Sequence, residues 1–201
     1  MKDPTRRFST RAENYSRYRP GYPAGVSDLL IKVCGLMTEF GVAGGGLGTG
    51  ILSRLFSEHG NRVLGVDPND EMRQVANRLL SGYGHFASLV ATAQAITLPD
   101  RSMDFVVAGQ ALHWVDAEKT RAALVHVLRP GGWTVLRRIV RRKMETLFLE
   151  AYERRLLTLG TEYERVEHGW GIVSVSSARS SSRKASSWRR STRRLGYFPA
   201  H

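Results

Sequence analysis

The stretch Phe40-Gly41-Val42-Ala43-Gly44-Gly45-Gly46-Leu47-Gly48-Thr49-Gly50-Ile51-Leu52, followed shortly by Val63-Leu64-Gly65-Val66-Asp67, decides the fold. Phe40 to Ala43 is a short apolar run that reads as a strand. It enters a glycine-dense turn, where the backbone can adopt conformations that side chains resist. Ile51, Leu52, Leu55 and Phe56 then recur at helical spacing. Arg62 to Asp67 is a second short strand that ends on an acid. Strand, glycine turn, helix and second strand together open a βαβ unit, whose strands run parallel.

The pattern continues on both sides. Val26, Leu29, Leu30 and Val33 place a helix over residues 26–36. Asn69 or Asp70 can cap a helix through Met72, Val75, Ala76, Leu79 and Leu80. Phe86 to Val90 reads as a third strand and Asp104 to Ala108 as a fourth. Thr120 to Leu128 reads as a helix, and Arg129-Pro130-Gly131-Gly132 should stop it by removing a donor and freeing the backbone. Trp133 to Val140 is a fifth strand and Met144 to Leu159 a last amphipathic helix. This alternation predicts an α/β fold, a doubly wound parallel sheet with helices on both faces. Residues 1–25, which mix aromatic and basic side chains, form an arm or lid, 26–170 the domain, and 171–201 a separate tail.

Composition narrows the class. The chain has 201 residues with 30 Lys+Arg against 18 Asp+Glu, a net charge of +12. Its single cysteine, Cys34, excludes an internal disulfide and a multi-cysteine metal site, and it falls on the apolar face of the first helix. No histidine cluster has metal-ligand spacing, so no metal is expected. No apolar run reaches the ~18 residues of a membrane span, and Met1 to Arg7 leads into no apolar region. A cytoplasmic protein with no membrane partner is the expectation. From Gly171 to His201 there is no Asp or Glu, while seven Arg and Lys and nine Ser crowd the segment. Such a stretch buries too little apolar surface to offset its ordering entropy, so disorder is expected. The change of composition is abrupt, and it predicts an out-of-frame or truncated end, which translation of the other two frames past Gly171 would test. Nucleic acid, drawn by the basic tail, is the lesser alternative partner.

Gly46-Leu47-Gly48-Thr49-Gly50 lies where backbone can approach a ligand closely, and Asp67 ends the next strand. A carboxylate there can accept both hydroxyls of a ribose, so the pair reads as a nucleoside site at the carboxyl edge of the sheet. A dinucleotide would call for Gly-x-Gly-x-x-Gly, and an NTP-binding loop for Gly-Lys-Ser/Thr. The spacing here is Gly-x-Gly-x-Gly. This tighter turn suits a ligand without phosphates, such as S-adenosyl-L-methionine, with adenine over Pro68.

Six blocks in order resemble class I S-adenosylmethionine-dependent methyltransferases of the small-molecule "methyltransferase domain 11" group. They are the arm from Tyr15 through Arg19-Pro20 to Tyr22-Pro23, the glycine loop, Gly65 to Arg73, Ala93 to Asp104, Gln110 to Asp116, and Leu128 to Trp133. The resemblance implies a Rossmann-like, mostly parallel sheet. It implies that Gly46, Gly48, Thr49 and Gly50 line the cofactor and that Asp67 and Pro68 hold its nucleoside. Met72 would flank adenine, Ala93 and Gln94 would meet its edge, and Gln110 would lie beside the methionine moiety. Tyr15 and Arg19 resemble lid residues. His113 is the candidate base or acceptor-orienting group, or else a pocket-wall histidine, and the partner implied is a small-molecule methyl acceptor.

Three departures stand against that pattern. Gly44 replaces an Asp, Gln94 replaces a Glu, and the family's last helical and antiparallel-strand segment gives way to the basic tail. The expectation is therefore a sheet lacking the last family strands. A catalytically defective homologue that still binds the cofactor is the rival reading. A nicotinamide oxidoreductase is disfavoured by the loop spacing.

Overall fold

The computed structural model describes residues 12–23, 25–109, 117–137, 146–159 and 174–177. Six strands form one sheet in the order β3-β2-β1-β4-β5-β6. They are β1 (Gly41–Gly45), β2 (Arg62–Val66), β3 (Phe86–Leu89), β4 (Met103–Gly109), β5 (Leu128–Arg137) and β6 (Ser174–Ser177). The first five run parallel, and β6 pairs antiparallel with β5. The helices are α1 (Ala12–Tyr18), α2 (Gly25–Cys34), α3 (Ile51–His59), α4 (Asp70–Leu79), α5 (Ala117–Val127) and α6 (Leu147–Leu159).

Alternation along the strands explains the two covered faces. On β1, Val42 packs with Val26, Leu30, Leu55 and Phe56 from α2 and α3, whereas Ala43 packs with Leu124 and Val127 from α5. On β4, Phe105 and Val107 join the first group and Val106 the second. Successive side chains of a strand point to opposite faces, so a central strand with helices on both sides must be apolar throughout. Cys34 is buried in the α2 group as expected, and burial pushes its thiol pKa up to about 11. No helix among the described residues is long and apolar enough to cross a membrane.

Chain order reverses between β1 and β4, and the carboxyl ends of these strands open a crevice at that switch point. At the opposite edge a buried asparagine pins the strand entrances. Asn61 Nδ2 donates to the Met37 and Phe40 carbonyls at 2.7 and 3.0 Å, and its Oδ1 meets His59 Nδ1 at 2.9 Å. Asn61 is fully buried. Removing it strands several backbone carbonyls without water, so Asn61→Ala is expected to lower stability by about 2–4 kcal/mol. Urea denaturation measures the loss. Ligand affinity should be unchanged, because the residue lies at the far end of the sheet.

Three elements differ from expectation. The glycine run does not cut β1 short, since the strand continues through Gly45, paired with β2 to its end and with β4 as far as Gly44. A Cβ on Gly44 would stand 3.2 Å from Ser53 Oγ, so α3 closes on the strand there. Arg129-Pro130-Gly131-Gly132 ends α5 but does not separate it from a later strand. The register of β4 with β5 jumps from Met103↔Leu128 to Phe105↔Trp133, so the turn is a bulge carried inside β5. Gly131 takes φ 83, and Arg129 Nη1 clamps both oxygens of Asp104 at 3.0 and 2.8 Å. Third, four residues of the tail expected to be disordered, Ser174–Ser177, pair antiparallel with β5 as the edge strand β6. Its partner strand, already ordered by β4, offers open hydrogen-bonding groups that even a serine-rich segment can fill. The rest of the tail and residues 138–145 lie outside the described residues.

Candidate nucleoside-binding site

Backbone hydrogen bonds shape the glycine loop. Gly46 N and Leu47 N both donate to the Val66 carbonyl, at 3.0 and 2.9 Å, and Gly50 N donates to Leu47 O at 3.0 Å. Three residues take left-handed conformations, Gly46 at φ 73, Gly48 at φ 56 and Gly50 at φ 82, which explains the residue type at each. Leu47 is buried beneath the loop, in space that exists because Gly65 has no Cβ. Above the crest, a Cβ on Gly48 would meet nothing within 4 Å, which leaves an open cradle.

Val66 holds the loop from one side, and the next residue, Asp67, grips its crest. Asp67 Oδ2 accepts from Gly48 N at 2.8 Å and Oδ1 accepts from Asn69 N at 2.9 Å. The carboxylate is buried, at 9% exposure. Burial raises its pKa above the ordinary aspartate value, opposed by the N–H donors of Asn69 and Gly48 and by the nearby Arg73 cation. A carboxylate has about four lone-pair sites, so each oxygen retains capacity for one further donor. Two adjacent hydroxyls of a ribose match that capacity. Asn69 caps α4 through Met72 N at 2.9 Å, which fixes the turn after Asp67.

The remaining expected residues fall around this centre to different degrees. Ala93 is buried against β1, its Cβ 3.6 Å from where a Cβ of Gly45 would lie, and Gln94 beside it is half-buried. Pro68 is exposed at the mouth. Met72 is buried with Ala12, Val75 and Tyr15, so α1 packs on α4, and Glu13 adds an ion pair with Arg78 at 2.6 Å. The arm thus lies over the nucleoside side of the domain. Arg19 follows α1 with its guanidinium 5.0 Å from the Tyr15 ring centroid. Arg19, Tyr22, Thr49 and Gly50 line a cleft of about 340 Å³, and Thr49 Oγ1 is buried with no hydrogen-bond partner among the described residues. Asp67, Met72 and Ala93 are not among the walls of that cleft. Gln110 and His113 lie outside the described residues. Among the described residues no group of side chains could hold a metal, and His126 faces Asp100 at 3.3 Å on the surface.

Two residues had escaped sequence reasoning. Tyr22 reaches the carboxyl end of β4, its hydroxyl filling the space beside Gly109. Arg73, in the first turn of α4, is buried against the back of Asp67, and nothing in its local pattern separates it from a surface arginine.

Known proteins resemble this chain in sequence and fold. The methyltransferase domain family model matches residues 44–136. An uncharacterized methyltransferase of Mycobacterium tuberculosis (strain ATCC 25618 / H37Rv) is 36% identical over 131 residues, covering 65% of this chain and 51% of that protein. The chain therefore spans about half the length of the curated relatives it matches. The solved YcgJ protein of Bacillus subtilis is 27% identical with a TM-score of 0.52, over 66% of this chain and 57% of that one. A Methanococcus maripaludis protein assigned as an S-adenosyl-L-methionine-dependent methyltransferase shares the fold at 17% identity, with a TM-score of 0.63 over 83% and 78% of the two chains. The glycine loop, the acid at the end of β2 and these likenesses agree: residues 44–136 match a methyltransferase domain, the class of domain in which S-adenosyl-L-methionine is the methyl donor.

Proposed function

We propose that the whole chain transfers a methyl group from S-adenosyl-L-methionine to a small-molecule acceptor. The observation that carries this reading is the buried Asp67 carboxylate, bonded to the crest of the glycine loop with capacity left for two hydroxyl donors. When bound, the cofactor supplies a methyl group on a sulfonium, an excellent leaving group. The protein's part is then mainly alignment, which can contribute about 7–11 kcal/mol when donor and acceptor are held at near-attack distance.

Each residue has a role in that task. Asp67 accepts from the ribose hydroxyls, and Gly46, Gly48 and Gly50 let backbone approach the cofactor. Ala93 and Gln94 border the adenine, with Pro68 at the mouth and Met72 behind. Arg19 offers a cation to the amino-acid carboxylate, and the orphaned Thr49 hydroxyl offers a donor in the same cleft. Tyr15 and Tyr22 hold the arm over the crevice and exclude water. We assign Gln110 to the methionine side and His113 to orienting or deprotonating the acceptor, a base being required only where the acceptor must lose a proton.

The test is calorimetric titration of the full chain with S-adenosylmethionine and S-adenosylhomocysteine, followed by transfer of radiolabelled methyl to a panel of small hydroxylated and acidic acceptors. Saturable binding of both nucleosides and label transfer to a panel member are expected. Preference for NADH over either nucleoside would sink the assignment. Binding without turnover on any acceptor would favour the catalytically defective alternative.

A further inference from the structure

Arg73 is a cation in an unfavourable place. It is 8% exposed and sits in the first turn of α4, where the helix dipole opposes positive charge. Burying an arginine is costly unless its donors are satisfied. Here Nη1 donates to the Asp67 carbonyl oxygen at 2.7 Å, and Nη2 meets Asp70 Oδ1 at 2.6 Å. Asp70 is itself 64% exposed and also accepts from Gln74 at 2.7 Å, so it is a solvated anchor rather than a buried counter-charge. The guanidinium therefore ties the backbone of the ribose-binding acid to the start of the helix that follows it. Without that tie, the Asp67 carbonyl loses its side-chain donor, and the backbone that carries the carboxylate, itself bonded to the N–H groups of Gly48 and Asn69, is less firmly fixed.

We infer that Arg73 is a positioning residue for the nucleoside site, orienting the Asp67 carboxylate from behind and keeping a positive charge beside it. The inference rests on the reading of Asp67 as the ribose acceptor. The charged side chains facing the acid are Arg73 directly and Asp70 through the shared guanidinium; its other polar neighbours are the backbone N–H groups of Gly48 and Asn69. Arg73 lowers the Asp67 pKa against the raising effect of burial. Removing it should let the acid protonate at higher pH, and the protonated form accepts poorly from hydroxyls.

The experiment is calorimetric titration of the full chain and two variants, Arg73→Leu and Arg73→Lys, with S-adenosylhomocysteine across the acidic limb of the pH profile. Circular dichroism and melting temperature are recorded alongside. The wild type should bind. Arg73→Leu should bind about 10- to 100-fold more weakly at neutral pH, with its acidic limb moved to higher pH. Arg73→Lys keeps the charge but lacks the planar fork that reaches both oxygens, so it should keep the wild-type limb while recovering only part of the affinity. If Arg73→Leu does not fold, the Lys variant carries the test through its reduced affinity with an unmoved limb. Wild-type affinity and limb in a folded Arg73→Leu protein, or a lowered melting temperature with both unmoved, would overturn the inference alone. Failure of the wild type to bind would overturn the nucleoside reading and the inference with it.

Discussion

Asp67→Ala is expected to weaken S-adenosylhomocysteine binding by about 100-fold or more. Each charge-assisted hydrogen bond to a ribose hydroxyl contributes about 1.5–3 kcal/mol, and two are lost together. The loop also loses its crest tether, because Gly48 N would no longer have the carboxylate 2.8 Å away. Calorimetry on the folded variant measures the effect, and an affinity within a few-fold of wild type would remove Asp67 from the site. The pH dependence has a definite sign. The acid must be ionised to accept two hydroxyls, and burial raises its pKa above the ordinary value. Binding should therefore fall with decreasing pH sooner than an exposed aspartate would dictate. For the unliganded fold the linkage has the opposite consequence. A raised folded-state pKa means this group's contribution is greatest at low pH and is lost as pH rises through that pKa. The site thus holds an ionised carboxylate at a cost to the free protein.

Gly50→Ala is expected to be strongly damaging. Gly50 takes φ 82, a conformation that costs a residue with a Cβ about 1–2 kcal/mol. The new methyl would also stand 2.9 Å from Leu80 Cδ1 and 3.2 Å from Ala76 Cβ, on the flank of α4. Overpacking of that kind costs about 1–3 kcal/mol. The combined loss of about 2–5 kcal/mol corresponds to a melting-temperature fall of about 5–20 °C in a domain of this size. Ligand affinity should fall as well, since Gly50 N closes the loop onto Leu47 O and Gly50 O starts α3 by accepting from Arg54 N at 2.8 Å. Gly82→Ala is the control, because a Cβ there meets nothing within 4 Å and its φ is ordinary. Equal melting temperatures for the two variants would show that the loop tolerates a side chain at Gly50.

Much of this was legible in local patterns. Apolar runs of four to six residues, separated by helices of 3.6-residue period, specify a parallel sheet because each strand must be apolar on both faces. A cap at Asn69 or Asp70 was readable, and Asp67 as the acid after the second strand, from spacing alone; the structure gives the cap to Asn69. The extent of β1 was not, because its glycines are tolerated only where two neighbouring strands and a close helix compensate for them. Nor was the bulge in β5, since Arg129-Pro130-Gly131-Gly132 is locally a stop signal and only Asp104, on another strand, keeps the chain in the sheet. The strand β6 was hidden for a similar reason: its serines carry little propensity, and its order derives from the open edge of β5.

What the amino-acid order determined by itself, then, was the layered α/β architecture, the glycine turn and the acid after the second strand, because each is signalled by residue types and spacings within short stretches of the chain. Tertiary structure alone decided that the arm's Tyr15 meets Met72, that Tyr22 covers the end of β4, and that Arg73 turns inward to hold the Asp67 carbonyl. Those contacts join segments, or select one of several directions for a long flexible side chain, and their energies exist only after the sheet has brought the parts together.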